Sequence, residues 1–498
     1  MTDSKVESSA ESVAEASSQN VPGHPKRVVR LLLILVTLAV GVVIGLWQLK
    51  PPPVDQSSPD YPAYQTMMAN IERLAIEPHP AGSAADATVR AGVIDEISAM
   101  GLTPVVEDKT YTTTEIIDLV LPLTGWASAE EWWNHAKDNL PPELGIHDIA
   151  TFLKYKAGVG DDGTLTIHNI LVKLDAPGTD RGVMLIAHYD STPKGPGAAD
   201  DMVATCAVLE AMRAQAHNPD LQNDLYFLIT DAEENGLVGA SAFVAAHPDL
   251  SASIDAVANF EARGNRGGLM LFQTSPAAYS LVAAAQRSGA HPIGMSWMAW
   301  VYSMMPNNTD LTIFLNNGYQ GINFAVVEGV ENYHQPTDSF ANLNQSTAWQ
   351  YLRTALSLAD YGASHSLANQ SNQEAVFFVL LPRHMVVMPG LASTILGALI
   401  CLVALAALVW DGRRKRLAIV RAIGRSLLIA VAVATLIVFP SGSFLFYLPL
   451  LALTITGLLA GKKIAHIVIA VLSGVLTLLL WVPVGFAAWV GLIQPMLL

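Results

Sequence analysis

Between residues 62 and 370 the chain alternates stretches whose apolar positions recur at helical spacing with short apolar runs rich in Val, Ile, Leu and Phe. Short apolar runs bounded by turn residues predict buried strands. Strands are expected over 169–173, 183–187, 225–230, 256–260, 269–273 and 322–327. Helices are expected over 84–100, over the alanine-rich 204–216 and over 346–363. This alternation predicts an α/β domain with a mostly parallel sheet flanked by helices. Residues 110–165 break the rhythm. Trp126, Trp132 and Trp133, several acids and the Pro141-Pro142 pair predict an insertion there, either a cap over a site or surface decoration.

Longer apolar runs lie outside this domain. Residues 29–48 read as a transmembrane anchor, because an apolar helix of about 20 residues spans a bilayer. A cleaved signal peptide is the rival reading, but the run starts late and lacks a small-x-small cleavage site. Lys26, Arg27 and Arg30 place the 1–28 tail in the cytoplasm and the domain on the other side. Pro51, Pro52 and Pro53 open a stiff linker, 51–61, which leads into the domain at 62–370. After a return segment, 371–389, four more spans are expected at 390–410, 426–440, 444–460 and 464–490. With five spans, the basic clusters at 26–30, 413–416 and 462–463 all fall on one side of the membrane. A single kinked span with a re-entrant piece in place of 426–460 is the alternative, and it reverses the C-terminal tail.

Composition agrees with a membrane-embedded portion: 51% of residues are hydrophobic and 14% charged, against about 25% charged in ordinary globular proteins. The net charge is −15, and its distribution is uneven. Residues 390–498 carry eight basic residues and one acid, which leaves the middle of the chain strongly acidic. Nucleic acid is thereby excluded as a partner, since binding phosphates needs a basic surface. Cys206 and Cys401 cannot build a disulfide framework and read as core residues.

Ligands of open α/β sheets bind at the carboxyl ends of strands, and chemistry-bearing residues follow four of the apolar runs. The run ending at Ala187 continues into His188-Tyr189-Asp190, where the imidazole and the carboxylate project from the same side of an extended chain. That pattern suits a metal-ligating histidine oriented from behind by an acid. Asp200 and Asp201 follow a glycine-rich turn and precede a helix, where an aspartate more often serves as a cap. Glu233 and Glu234 follow the run ending at Thr230. A buried pair of neighbouring acids is costly without a cation. Glu261 ends another run, and Tyr333-His334 lies just past the run 322–327. Together, His188, Asp200, Glu234, Glu261 and His334 supply two imidazoles and three carboxylates at one sheet edge, the set that two zinc ions take when one carboxylate bridges them.

The motifs AHYDS (187–191), GAADD (197–201), DAEENGLVGA (231–240), NFEARG (259–264) and NYHQPTDS (332–339), with EPHPAGS (77–83) before them, resemble the bimetallic zinc aminopeptidase family. Within it they resemble the membrane-anchored branch of endoplasmic-reticulum and vacuolar metallopeptidases and their bacterial relatives. The resemblance spans roughly residues 62–365. It implies a zinc-exopeptidase fold of the phosphorylase/hydrolase-like kind and two Zn2+ per chain. By this resemblance Asp200 bridges, His188 and Glu261 complete one zinc site, and Glu234 and His334 complete the other. Glu233 is then the general base, Asp190 orients His188, and Tyr333 stands where some relatives use a tyrosine to stabilise the tetrahedral intermediate. Many soluble relatives have aspartate where Glu261 stands, whereas the membrane branch has glutamate.

The activity implied is removal of N-terminal residues from peptide substrates by a protein seated in a lipid bilayer. A short tail and a modest number of spans point to a bacterial inner membrane with the domain in the periplasm; a vacuolar or endoplasmic-reticulum membrane is the alternative. Rival functions are a catalytically inactive receptor or scaffold of the same fold, glutaminyl cyclase activity, and carboxypeptidase activity. The last requires a cation for the substrate carboxylate, for which Arg263 and Arg266 are the candidates.

Overall fold

In the computed structural model, residues 50–395 are described apart from 125–127, 138–150, 152–158, 161, 304, 306, 366, 368–372 and 382–383. The strands are β1 (Val105–Thr112), β2 (Thr164–Leu174), β3 (Gly182–His188), β4 (Asp224–Thr230), β5 (Ile254–Ala262), β6 (Met270–Thr274), β7 (Ile293–Gly294), β8 (Gly321–Val326), β9 (Ala375–Leu381) and β10 (His384–Pro389). The helices are α1 (Tyr61–Leu74), α2 (Ala84–Ala99), α3 (Thr113–Thr124), α4 (Ala129–Ala136), α5 (Val203–Gln215), α6 (Val238–Ala246), α7 (Tyr279–Arg287), α8 (Ser296–Tyr302), α9 (Asp310–Asn316) and α10 (Gln345–Ser364). A π-type turn, Ala198–Met202, leads into α5.

Strands β1 to β8 form one sheet in the order β1-β2-β4-β3-β5-β8-β6-β7. The four central strands, β4, β3, β5 and β8, run parallel. On the flanks β2 is antiparallel to β4, β1 to β2 and β6 to β8, while β7 runs parallel to β6. The sheet is therefore mixed, where the sequence pattern predicts a mostly parallel one. Helical crossovers impose parallel pairing only at the centre, and the flanking strands are free to add antiparallel.

The central strands read as unbroken apolar runs because both of their faces are covered. β3 is buried at every position. Val183, Leu185 and Ala187 enter the larger core, with residues of α1, α2, α5 and α10, and Met184 and Ile186 enter a second core with α6 and α9. β4 divides in the same way, with Leu225, Phe227 and Ile229 on one face and Tyr226 and Leu228 on the other. Each such side chain contributes about 1.5–3 kcal/mol on burial. Side-chain caps start α2 and α10, among other helices. The Ser83 hydroxyl accepts from Asp86 N at 3.0 Å ahead of α2, and Asn344 Oδ1 accepts from Thr347 N at 3.0 Å ahead of α10.

Two regions depart from expectation. Residues 110–112 and 164–165, assigned from the sequence to the insertion, lie in β1 and β2, so the stretch between these strands is 113–163. Residues 375–381 and 384–389 of the return segment form the antiparallel pair β9 and β10, joined to the rest of the domain by a bridge between Met295 and Phe378. The expected tail 1–28 and the spans 29–48, 426–440, 444–460 and 464–490 lie outside the described residues, as does 390–410 beyond Ile395. No helix among the described residues is long and apolar enough to cross a membrane.

The winding of the sheet decides where a site can form. From β3 the chain passes through α5 to β4 on one side, then through α6 to β5 on the other side of β3. This reversal opens a crevice at the carboxyl edge of the central strands. Gly239, in the first turn of α6, lies so close to this edge that a Cβ there would stand 2.1 Å from Asp231 O and 2.6 Å from Asn169 Oδ1. Gly239→Ala is therefore expected to lower stability by about 1–3 kcal/mol through overpacking. Thermal unfolding of the detergent-solubilised full chain measures this, and an unchanged midpoint would contradict the close approach.

Candidate metal centre

The crevice gathers residues that lie far apart in the chain. His188 is the last residue of β3, and Glu261 is next to last in β5. Asp200 sits in the π-type turn, where its peptide bond to Asp201 is cis. Glu233 and Glu234 occupy the turn between β4 and α6, and His334 follows β8. Ligand atoms of His188, Asp200 and Glu261 lie within 4.8 Å of one another, as do those of Asp200, Glu234 and His334. Asp200 belongs to both groups. Its Oδ1 is 3.6 Å from His188 Nε2 and its Oδ2 is 3.2 Å from His334 Nε2. Glu261 Oε2 stands 3.9 Å from His188 Nε2, and Glu234 Oε1 stands 3.0 Å from His334 Nε2.

Four of these buried atoms, His188 Nε2, Asp200 Oδ2, Glu234 Oε1 and His334 Nε2, have no hydrogen-bond partner. Buried polar atoms are normally satisfied, and leaving one unpaired costs about 1–3 kcal/mol. Here they converge, as ligand atoms around a cation do. Imidazole nitrogens and carboxylate oxygens together suit zinc, so the residues present fit the metal that the sequence motifs imply.

Electrostatics point the same way. Burial alone would raise Asp200, but the imidazoles of His188 and His334 outweigh it and hold the carboxyl well below its usual range. Burial pushes Glu261 up to about 8, with repulsion from Asp200 and Asp310 added and His188 opposing. Burial and then Glu261 push Glu233 well above the carboxylate range. Burial also acts against a charged His334, but Glu234 and Asp200 more than offset it and raise the imidazole to about 9. Without cations, this many carboxylates can share the pocket only by taking up protons.

A surrounding frame holds the ligands. Asp190 O lies 3.0 Å from His188 Nδ1, with Asp190 Oδ1 at 3.3 Å. With Nδ1–H donating to that carbonyl, Nε2 presents its lone pair to the site. The Asp190 carboxylate also accepts from the backbone of Glu233 at 3.0 Å and of Glu234 at 3.2 Å, so it fixes the turn that carries both glutamates. The Asp338 carboxylate accepts from Ala199 N at 2.9 Å and Asp200 N at 3.2 Å. Ala232, Leu237 and His334 adopt positive φ, a conformation that costs energy without glycine and clusters at functional sites. The Tyr333 ring stacks on that of His334 with centroids 3.6 Å apart.

Three further residues complete the pocket. Asp310, at the start of α9, is buried. It accepts from the Thr230 hydroxyl at 2.5 Å, leaves Oδ1 unpaired, and acts electrostatically on both Glu233 and Glu261. In the sequence it looks like an ordinary acid in a first helical turn, so its pattern there held no signal. Tyr302 packs edge-on against Phe272 at 4.7 Å, with its hydroxyl buried in the field of Glu261, Arg263 and Glu233. Arg263 holds its guanidinium carbon 5.0 Å from the Tyr333 ring centroid. From the insertion, α3 reaches the rim. The Val120 side chain lies against Gly236, and Asn308 Nδ2 donates to Leu123 O at 3.0 Å.

The chain is also similar in sequence to known proteins. Residues 169–359 match peptidase family M28. The chain is 30% identical over 257 residues to endoplasmic reticulum metallopeptidase 1 of Rattus norvegicus, a match covering 50% of this chain and 28% of that protein. It is 32% identical over 214 residues to the vacuolar membrane protease of Saccharomyces cerevisiae strain RM11-1a, covering 42% of this chain and 21% of the relative. The matched region thus spans less than a third of the length of either relative. An aminopeptidase from Aneurinibacillus sp. strain AM-1 superposes with a TM-score of 0.45 at 17% identity, over 60% of this chain and 93% of that one. Over residues 169–359 the chain is thus similar in sequence to peptidase family M28.

Proposed function

We propose that this protein is a membrane-bound aminopeptidase that uses two zinc ions to remove N-terminal residues from peptides. The observation that carries this reading is the shared aspartate: Asp200 turns one oxygen to each of two histidines, and each histidine has a further glutamate beside it. In this reading His188 and Glu261 hold one zinc, Glu234 and His334 hold the other, and Asp200 bridges them. When bound there, zinc supplies the Lewis acidity that polarises the scissile carbonyl and lets water lose a proton at neutral pH.

The remaining work falls to the chain's own side chains. Asp190 anchors the backbone of both glutamates, so their side chains diverge: Glu234 goes to His334, while Glu233 faces Glu261, His188 and Asp310. Glu233 accepts the proton of the attacking water on its carboxylate and returns it to the leaving amine. Tyr333, stacked on His334, is suited to stabilise charge on the carbonyl oxygen. Asp190 holds the His188 ring through Nδ1. The surplus of carboxylates at this edge favours a substrate bringing a cationic α-amine over one with a blocked N-terminus. Relatives named for the endoplasmic reticulum and the vacuolar membrane support a membrane protein, and the five apolar runs with basic clusters on one side are the ground for reading it as multi-pass with its peptidase domain outside the cytoplasm. The compartment proposed is a bacterial inner membrane, with the domain in the periplasm.

Two measurements on the detergent-solubilised full chain test this. Elemental analysis is expected to find two zincs in the wild type, about one in Glu234→Ala or His188→Ala, and none retained in Asp200→Ala. Equal loss from all three variants would remove the two-site reading. In the second test, Glu233→Gln is expected to keep both zincs and lose about 10² to 10⁴-fold in turnover of leucine p-nitroanilide. The wild type should leave the N-acetylated substrate intact. Undiminished activity in the variant, or cleavage of the blocked substrate, counts against the assignment. A zinc-loaded wild type inert towards both substrates would instead support a receptor role.

A further inference from the structure

Arg263 lies two residues beyond Glu261. The backbone there still pairs with β8, as Arg263 N donates to Val326 O at 2.9 Å. Side chains two apart on extended chain leave from the same side, so the guanidinium follows the Glu261 carboxylate into the crevice. The next residue pins it in place. A Cβ on Gly264 would stand 2.2 Å from Glu328 O, so the chain runs hard against the exit of β8 at this point. The guanidinium packs over Tyr333, which itself stacks on His334. Arg263 is thus tied to both candidate metal groups, through Glu261 along the strand and through Tyr333 across the crevice.

Beyond the Tyr333 ring, its charge has no partner among the described residues. Among the described residues no carboxylate lies within ion-pairing distance of Arg263, and its buried Nε has no hydrogen-bond partner. Arg266 differs: it is already engaged by Glu331 at 2.7 Å and Glu328 at 3.4 Å. A planar guanidinium with its donors unspent matches a carboxylate in two-point geometry. In so acidic a crevice it is the feature suited to an anion.

We propose that Arg263 receives the C-terminal carboxylate of the substrate, so that the site takes dipeptides with a free C-terminus. This rests on the aminopeptidase reading above, which places the α-amine on one side of the scissile bond. Two residues of extended chain advance about 7 Å, so a side chain rooted this near Glu261 serves a carboxylate one residue beyond the scissile bond and not one further along a long peptide. A free amine on one side and a bound carboxylate on the other leave room for one residue each.

The test compares leucyl-leucine, leucyl-leucinamide and trileucine as substrates of the zinc-loaded full chain in detergent. Calorimetric binding of non-hydrolysable phosphinic analogues of the first two runs alongside. The wild type is expected to favour the free-acid dipeptide over its amide by about ten- to a hundredfold in kcat/KM, as for a lost hydrogen-bonded charge pair. The difference should lie mainly in KM, with trileucine a poor substrate. Arg263→Met is expected to bring the acid-to-amide ratio close to one in both kinetics and binding, and Arg263→Lys to keep part of it. Zinc content checks that the variants are intact. Equal handling of acid and amide by the wild type, trileucine cleaved as well as the dipeptide, or a ratio unchanged in Arg263→Met would each overturn the proposal. If no peptide is cleaved, the aminopeptidase reading fails, while the binding ratio still decides whether Arg263 receives a carboxylate.

Discussion

The structure turns on keeping one carboxylate, Asp200, ionised inside the protein. Burial would drive it to protonate, and the imidazoles on its two sides reverse that. Everything near it serves the same end. Asp338 takes its backbone N–H, so the turn that carries it is held by a second acid, itself raised to about 7 by burial and by Asp200. Asp190 does for the Glu233–Glu234 turn what Asp338 does for Asp200. Acids that hold other acids in place make sense only where positive charge is to be added, since a buried negative cluster left alone is strongly destabilising. The network is built as a cradle that could hold cations.

Such a cradle needs several separated segments to arrive at one point, and the parallel centre of the sheet supplies that. Parallel strands bring their carboxyl ends to one edge, and the reversal of winding at β3 leaves a gap there that no crossover fills. His188, Asp200, Glu234, Glu261 and His334 come from four different strand exits. The two-faced burial of β3 and β4 keeps those exits rigid, so ligand positions are set by the best-packed part of the domain, and the loops add only the last few ångströms.

Legibility in the sequence follows from the same physics. A strand covered on both faces must be apolar throughout, so Val183 to Ala187 and Leu225 to Thr230 announce themselves, and a His or Glu immediately after such a run is conspicuous. β1 did not stand out because it is an edge strand with Tyr111 alone buried, and its charged residues gave no alternation to read. The antiparallel flanks were hidden for a related reason, since an apolar run records burial and not strand direction. Asp310 was invisible because an acid in the first turn of a helix is ordinary; only the packing of α9 against the sheet turns it towards Glu233 and Glu261. Arg263 could be named as a cation near a motif, but its lack of a carboxylate partner is a fact of three-dimensional packing, as is the engagement of Arg266.

Of the stretch between β1 and β2, helix α3 belongs to this picture. Val120 of α3 lies against Gly236, three residues past Glu233 in the same turn, and Leu123 O accepts from Asn308, two residues before Asp310. One short helix thus touches the two loops that carry Glu233 and Asp310. Because α3 also contributes Ile116 to a small core with Tyr111, Leu165 and Val238, it is fastened to the sheet edge on one side and to the rim of the crevice on the other. A change in the packing of α3 would therefore act first on the placement of these carboxylates.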